Sequence, residues 1–497
     1  MHSTNNNTNG QFRDYSNAVS RRGFFESVSG GVYAAALGSL LMQDVPAEQT
    51  ADPAHETRRI FDLQTRAPHF APKATSVIHL FMNGGPSQMD LFEPKSERDR
   101  RHGQSYFDKI AGEVESPEES GALLRSPFAF KQHGKCGAWV SEVMPHLAGC
   151  VDDIAFLKGM YAQNLTHEPA LRIIQSGRML PGLPTLGAWV TYGLGTVNQN
   201  LPAYVVLDDP RGLPINRHQN WQSGFLPPIY QGTRFRTAGS PVLNLDRQFE
   251  EPDELTRLER NLIGQIDRRH RSQRPFQLSL DARIASYELA ARMQIEASDA
   301  LDLDQETQET RDLYGIGKDP TDSYGRRCLV ARRLVERGVR FVQLFIDSQI
   351  WDTHHRQVSG IRSACVRTDQ PVAALIKDLK RRGLLDQTLV VWGGEFGRLP
   401  IAQIPKNATR EYIGRDHNKN AMCSWTAGGG VKGGVSFGAT DELGFKSVEG
   451  LVSVADFHAT ILHLLGLDYE KLSFMRHGFP ERLTSTEVAR PVTEILA

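Results

Sequence analysis

The 497-residue chain reads as an α/β protein organised around a largely parallel β-sheet. Three observations predict this. Four short apolar runs are bounded by turn residues, the pattern of buried strands. Two of these runs follow an amphipathic helix closed by glycine. Helix, glycine and apolar strand, repeated along a chain, belong to domains of alternating α and β units.

The elements follow in order. Residues 1–19 are rich in Asn, Ser and Thr and read as disordered. Ser20-Arg21-Arg22-Gly23-Phe24-Phe25 comes next, then a Gly- and Ala-rich, weakly apolar run from Val28 to Met42. Charge, apolar segment and small residues in that order predict an export signal over residues 1–47. The paired arginines before Gly-Phe-Phe resemble a twin-arginine signal. The other reading is a chance Arg-Arg before an amphipathic helix, but the Gly and Ala content suits an export segment better than a packed helix. The apolar run is too short for a membrane span, so no span is expected in the mature chain. The expected partner of this segment is the twin-arginine export machinery, and the expected destination is the periplasm or the exterior. Residues 48–72 read as a polar linker, and 73–497 as one α/β domain.

Within that domain, Ser76–Met82 is a buried-strand pattern ending in Asn83-Gly84-Gly85-Pro86. Pro202–Leu207 is a second strand. Glu251–Arg311 is charged, nearly free of Gly and Pro, and has helical spacing at Leu255, Leu258, Leu262 and Ile266, which predicts a helical insertion at about 250–315. Cys328–Arg337 is an amphipathic helix ended by Gly338, before the strand Arg340–Ile346. Ala373–Arg382 is another, ended by Gly383, before Thr388–Trp392.

Composition excludes several function classes. The formal net charge is −1, so no general attraction to nucleic acid is expected. With 40% hydrophobic and 23% charged residues, a wholly disordered chain is excluded. Five Cys in 497 residues cannot build a disulfide framework.

In open α/β sheets, ligands sit beyond the carboxyl ends of the strands. After the first strand come Asn83, Ser87 and Asp90. After Ile346 come Asp347 and Trp351-Asp352-Thr353-His354-His355. After Trp392 comes Gly393-Gly394-Glu395-Phe396-Gly397-Arg398, and later Gly414-Arg415-Asp416-His417-Asn418. Each cluster alone has an ordinary explanation as a helix cap, a helix-start carboxylate or a loop ion pair. Together they make the donor set of a divalent metal site, of the zinc, manganese, calcium or magnesium kind. Two literal motif matches fail their context. Gly428–Gly433 fits a dinucleotide-binding fingerprint, and Gly434–Gly438 a nucleophile elbow, but neither is followed by a helical pattern.

Phe81–Gln88, Trp351–His354, Trp392–Arg398, Gly414–Asn418, Ala427–Gly434 and Asp456–Ile461 together resemble the domain-of-unknown-function 1501 family, over nearly the whole chain. That family is counted with the alkaline phosphatase and sulfatase superfamily. The resemblance implies an alkaline phosphatase/sulfatase-like fold, with helices on both faces of the sheet. In the superfamily a metal-binding Asp follows the first strand, and here Asn83 holds that place. His167-Glu168-Pro169-Ala170-Leu171 before Ser176-Gly177-Arg178 is similar in spacing to the sulfatase nucleophile segment. It puts His167 at the nucleophile position, one residue from Thr166, the residue type phosphatases use. The late Asp-His pair of phosphatases falls near Glu395-Phe396, without the imidazole.

The resemblance therefore implies an exported, metal-dependent hydrolase of sulfate or phosphate esters, acting on small molecules or polysaccharides. The expected metal ligands are Asp352, His354, Glu395, Asp416 and His417, with Asn83 and Asp90 as further donors. His167 is expected as nucleophile, general acid or ligand. Arg398 and Arg415 are expected to bind the ester's anionic oxygens, or else to form surface ion pairs. Trp221 is a candidate sugar-stacking residue, and His458 a ligand or a packed histidine. The competing expectation is a non-catalytic exported binding or envelope protein on a degenerate phosphatase-like fold.

Overall fold

The computed structural model describes residues 62–236, 252–274, 277–347, 349–406, 409 and 412–497. The expected export signal, 1–47, and residues 48–61 of the expected linker lie outside the described residues. The rest of that linker is pinned to the domain. Arg66 N donates to Leu194 O at 2.9 Å, and His69 N to Gly466 O at 2.8 Å.

Eight strands form one sheet: β1 Ser76–Phe81, β2 Ile154–Met160, β3 Tyr204–Leu207, β4 Thr233–Phe235, β5 Phe341–Phe345, β6 Thr388–Gly393, β7 Met422–Ala427 and β8 Val435–Phe437. Their spatial order is β8-β2-β7-β6-β1-β5-β3-β4. β7 is antiparallel to both its neighbours, and all the other pairings are parallel. The four expected strands are present. Every residue of β1, β3, β5 and β6 is buried, as strands covered on both faces must be.

Register sets up the site. Phe81 at the end of β1 stands opposite Phe345 of β5 and Gly393 of β6. The loops beginning at Asn83, Ile346 and Gly394 therefore leave the sheet at one level. β7 runs the other way, with Trp425 opposite Trp392. Its N-terminal end thus points to that same edge, and residues 415–421 arrive there too.

The longer helices are α1 His167–Ser176, α2 Leu186–Leu194, α3 Asp253–Ser272, α4 Leu278–Leu301, α5 Asp322–Glu336, α6 Gln357–Arg381 and α7 Val454–Leu464. α5 and α6 end ahead of Gly338 and Gly383, whose φ of +83° and +68° only glycine adopts freely. α6 begins sixteen residues before the expected start at Ala373 and runs through Pro371. The expected insertion contains α3 and α4, but Leu255 and Leu258 on α3 are 45% and 58% exposed rather than packed. No helix among the described residues is long and apolar enough to cross a membrane.

Three tryptophans pack beneath the site's edge of the sheet. Trp392 and Trp425 stack at 5.8 Å, and Trp351 meets Trp392 edge-on at 6.1 Å. All three are buried, and their indole N–H groups have no hydrogen-bond partner. Gly428–Gly430 make a turn into β8 and open no helix. His458 is buried in α7 and donates from Nε2 to Ile174 O at 2.8 Å, a packed histidine.

Candidate metal centre

Three segments deliver four side chains to one point. α1 begins with His167, the loop after β5 brings Asp352 and His354, and the approach to β7 brings His417. Their donor atoms all lie within 4.8 Å of one another. His354 Nε2 is 2.9 Å from His417 Nε2 and 3.1 Å from Asp352 Oδ1. His417 Nε2 is 3.3 Å from the same oxygen, and His167 Nε2 is 3.3 Å from Asp352 Oδ2. Phe396 closes one wall, with ring centroids 4.3 Å from His417 and 4.9 Å from His167.

The far side of each ring is also occupied. His167 Nδ1 donates to Glu395 Oε1 at 2.7 Å, and His354 Nδ1 to Gln403 Oε1 at 2.6 Å. His417 Nδ1 lies 2.6 Å from Glu115 Oε2. A neutral imidazole that donates from Nδ1 keeps a lone pair on Nε2, so His167 and His354, once deprotonated, aim their lone pairs at the shared point. Glu395 is fully buried, and its Oε1 also accepts from Gly84 N at 2.9 Å. Gly84 has φ +108°, and a Cβ there would lie 2.4 Å from Asp352 N, so the backbone approach requires glycine.

Charge is arranged around Asp352. Burial raises its carboxyl pKa, but Arg398, with His167 and His417, outweighs burial and holds it well below the carboxylate range. Burial lowers His167, yet its contacts with Asp352 and Glu395 prevail and raise it to about 9. Burial and the Arg398 charge lower His354.

The expected residues divide into three groups. His167, Asp352, His354 and His417 meet. Glu395, Asp416, Asn83 and Thr166 stand around them. Asp416 accepts from Glu115 N at 3.0 Å, Ser116 N at 2.9 Å and His417 N at 2.8 Å, and its Oδ1 is 3.7 Å from His354 Nδ1. The Asn83 amide donates to Ile346 O, tying the first loop to the second. Thr166 Oγ1 donates to Glu115 Oε1 at 3.3 Å.

Asp90 and Arg415 form the third group, and the expectation for them is corrected. They pair with each other at 2.8 Å, both fully buried. Asp90 also accepts from Ser87 at 2.6 Å and Gln357 at 2.7 Å, and Arg415 donates to Leu399 O and Leu124 O. Arg398 is likewise engaged with Asp352 at 2.7 Å and with the carbonyls of Gly84, Gly85 and Arg415. A guanidinium taken out of water must satisfy its donors internally, so neither arginine is free to hold an ester's anionic oxygens, nor is either a surface ion pair. Trp221, 4% exposed, offers no face for sugar stacking.

Glu115 was not anticipated. It lies in an acidic stretch, Glu113 to Glu119, that reads as solvated surface, and its contact with His417 spans 302 residues. With His354, Asp416 and His417 it forms a second group of potential donors within 4.8 Å.

The family model described as "Protein of unknown function (DUF1501)" matches residues 74–496. The chain belongs to the DUF1501 family. No curated protein sequence matches it. Among solved structures, this DUF1501 chain is similar to the lipoteichoic acid synthase LtaP from Listeria monocytogenes, at 9% identity and a TM-score of 0.37, over 81% of this chain and 76% of that one. It is similar to the PsFucS1 sulfatase from Pseudoalteromonas sp. at 12% identity and TM-score 0.35, over 80% and 69%. It is also similar to the phosphonate monoester hydrolase SpPMH from Silicibacter pomeroyi at 10% identity and TM-score 0.33, over 79% and 73%. At these TM-scores the chemistry has to be argued from the DUF1501 chain's own residues.

Those residues fit a divalent ion. Ligands about 2.0–2.1 Å from a tetrahedral centre stand about 3.3 Å apart. The four closest separations here, 2.9 to 3.3 Å, match that edge. His167 Nε2 is buried without a hydrogen-bond partner, as expected of an atom arranged for a cation.

Proposed function

We propose that this protein is an exported, metal-dependent hydrolase of sulfate or phosphate esters, with small molecules or polysaccharides as the ester carriers. The observation that carries the reading is the convergence of three imidazole nitrogens and one carboxylate on one point. His167, Asp352, His354 and His417 would hold the ion. Three nitrogens and one oxygen favour zinc or another imidazole-preferring metal over calcium or magnesium, which take oxygen donors. A bound divalent ion supplies Lewis-acid polarisation of an ester oxygen and a lowered pKa for water or hydroxyl.

The chain's own groups supply the rest. Glu395, held by Gly84 N, orients the His167 ring. Arg398 fixes the Asp352 carboxylate in position. Glu115 is 33% exposed beside the centre, and the neighbouring His417 ring holds its pKa below the ordinary value. Ionised at neutral pH, it can accept the proton of the Thr166 hydroxyl, a nucleophile–base pair at 3.3 Å. Phe396 shields one side of the site from water.

The test is metal content by mass spectrometry of the purified chain, with turnover of 4-nitrophenyl sulfate and 4-nitrophenyl phosphate. About one equivalent of ion with turnover is expected. No bound ion, with metals supplied throughout expression and purification, would sink the mechanism. One observation favours a second reading. Four protein donors complete a tetrahedral sphere, as in structural sites, whereas catalytic sites keep a position open. Ion without turnover would make this a binding or envelope protein on the same fold.

A further inference from the structure

Two elements that carry the metal centre are also tied to the loop after β3. The loop after β3, residues 208–222, is tied to α1 by Asn216 Nδ2, which donates to Glu168 O at 2.8 Å, one residue beyond His167. It is tied to the Asp352 loop by Asp347 N, which donates to Asp209 Oδ2 at 3.1 Å. These two bonds tie the loop to the elements that carry His167 and Asp352.

This region has more positive charge than its own pairs use. Asp347 faces two arginines, Arg367 at 3.3 Å and Arg211 at 3.9 Å. Arg211 reaches Asp209 only at 3.7 Å, and that carboxylate is already bound by the buried Arg327. Arg211 is 46% exposed, and its closest ionic contacts lie beyond hydrogen-bond length, so it contributes little to holding the fold.

The loop is also held in an unusual shape. Asn216 and Arg217 are consecutive non-glycine residues with φ of +66° and +44°. Asn220, 1% exposed, clamps this turn by donating to Ile215 O at 2.6 Å and Arg217 O at 3.0 Å. Arg217 is exposed on this turn. Strained backbone that its surroundings over-determine gathers at ligand sites. An independent sign agrees. On two of the three segments a buried side-chain N–H donor has no hydrogen-bond partner: Arg172 Nε on α1 and Gln349 Nε2 beside Asp347.

We propose that the 208–222 loop, α1 and the residues Asp347 and Gln349 form a subsite for an anionic group of the ligand, a sulfate, phosphate or carboxylate, next to the group placed at the metal centre. Arg211, Arg217 and Arg367 would supply charge, and the unpartnered donors Arg172 Nε and Gln349 Nε2 would supply hydrogen bonds. The proposal rests on the metal centre being where the ligand's reacting group sits, but binding is measured without turnover.

The test is affinity electrophoresis of the full chain through gels containing dextran sulfate or neutral dextran of equal length. Retardation by dextran sulfate alone is expected. Arg211→Gln with Arg217→Gln should weaken binding at least ~10-fold. A charge-matched control on α3, Arg257→Gln with Arg268→Gln, should leave binding within about twofold. Equal losses in the two double variants would reduce the effect to diffuse charge and overturn the subsite. Equal retardation by the two polymers would overturn it too. A chain that selects dextran sulfate but turns over no ester keeps the subsite and loses the hydrolase reading. A chain that hydrolyses esters without distinguishing the polymers does the reverse.

Discussion

Asp352 accepts from Arg398 while standing within 3.3 Å of three imidazole nitrogens, so most of the centre's electrostatics pass through one carboxylate. Asp352→Asn and His354→Ala are each expected to reduce bound ion from about one equivalent to a small fraction, read by mass spectrometry. Glu395→Gln keeps the shape but weakens the acceptor behind His167. A 10- to 100-fold loss of metal affinity is expected, the usual effect of removing a group that orients a ligand. Without metal, His167 titrates at about 9, above its ordinary 6.5. Its contribution to stability is then complete below pH 6.5 and lost as pH rises through about 9. Metal must displace that proton, so apparent metal affinity should rise from pH 6.5 to 9, with about one proton released per ion, measurable by calorimetry in buffers of different ionisation enthalpy. Glu115 was hidden from a sequence reading for a physical reason. Its role depends on a contact 302 residues away, and its neighbours Glu113, Glu118 and Glu119 make it resemble ordinary solvated charge. Arg398 and Arg415 misled for the opposite reason. Beside carboxylates they looked available, but burial commits them to carbonyls and partners inside the protein.

At the scale of elements, the turn after β1 is the tightest constraint. Gly84→Ala would place a methyl against the Asp352 backbone in a conformation alanine rarely adopts. Loss of bound ion together with a lower unfolding midpoint is expected, and an unchanged metal content would show that the two loops can separate without harm. His458 on α7 and His79 on β1 are both buried, and burial lowers their pKa values to about 4 and about 3. Unfolded, both would take protons below pH 6.5. Stability should therefore fall as pH drops from 6.5 towards 4, and His458→Gln should flatten that slope in urea titrations. β1, β3, β5 and β6 were legible because mostly apolar runs stand between turn residues or after a glycine-ended helix, even with His79 and Gln343 inside them. β7, Met-Cys-Ser-Trp-Thr-Ala, was not, since Ser424 and Thr426 break its apolar run. Its reversed direction is a tertiary property that no local pattern encodes. The early part of α6 was missed because Pro371 reads as a helix boundary, although the helix continues through it.

Across the whole molecule, the four donors come from positions 167, 352, 354 and 417, so an ion would bridge segments that are far apart along the chain. An ion that binds only the folded form at 100 times its Kd adds about 2.7 kcal/mol of stability. Chelation should accordingly lower Tm, and Asp352→Asn should abolish that difference. Replacing Arg21 and Arg22 by Lys tests the export reading, with retention of the precursor in the cytoplasm as the expected outcome. The general plan was readable because an α/β domain repeats one local pattern, whereas a centre assembled from three separated segments shows only its fragments. The stacked tryptophans have one more consequence. Trp351 immediately precedes Asp352, and Trp392 lies three residues before Glu395, with both rings dry and coupled to Trp425. Their emission should be blue-shifted relative to that of the half-exposed Trp139. Any ion that pulls Asp352 inward should change how these rings exchange excitation. The native chain therefore has a built-in optical reporter of the occupancy of its centre, and no label is needed to follow loading in real time.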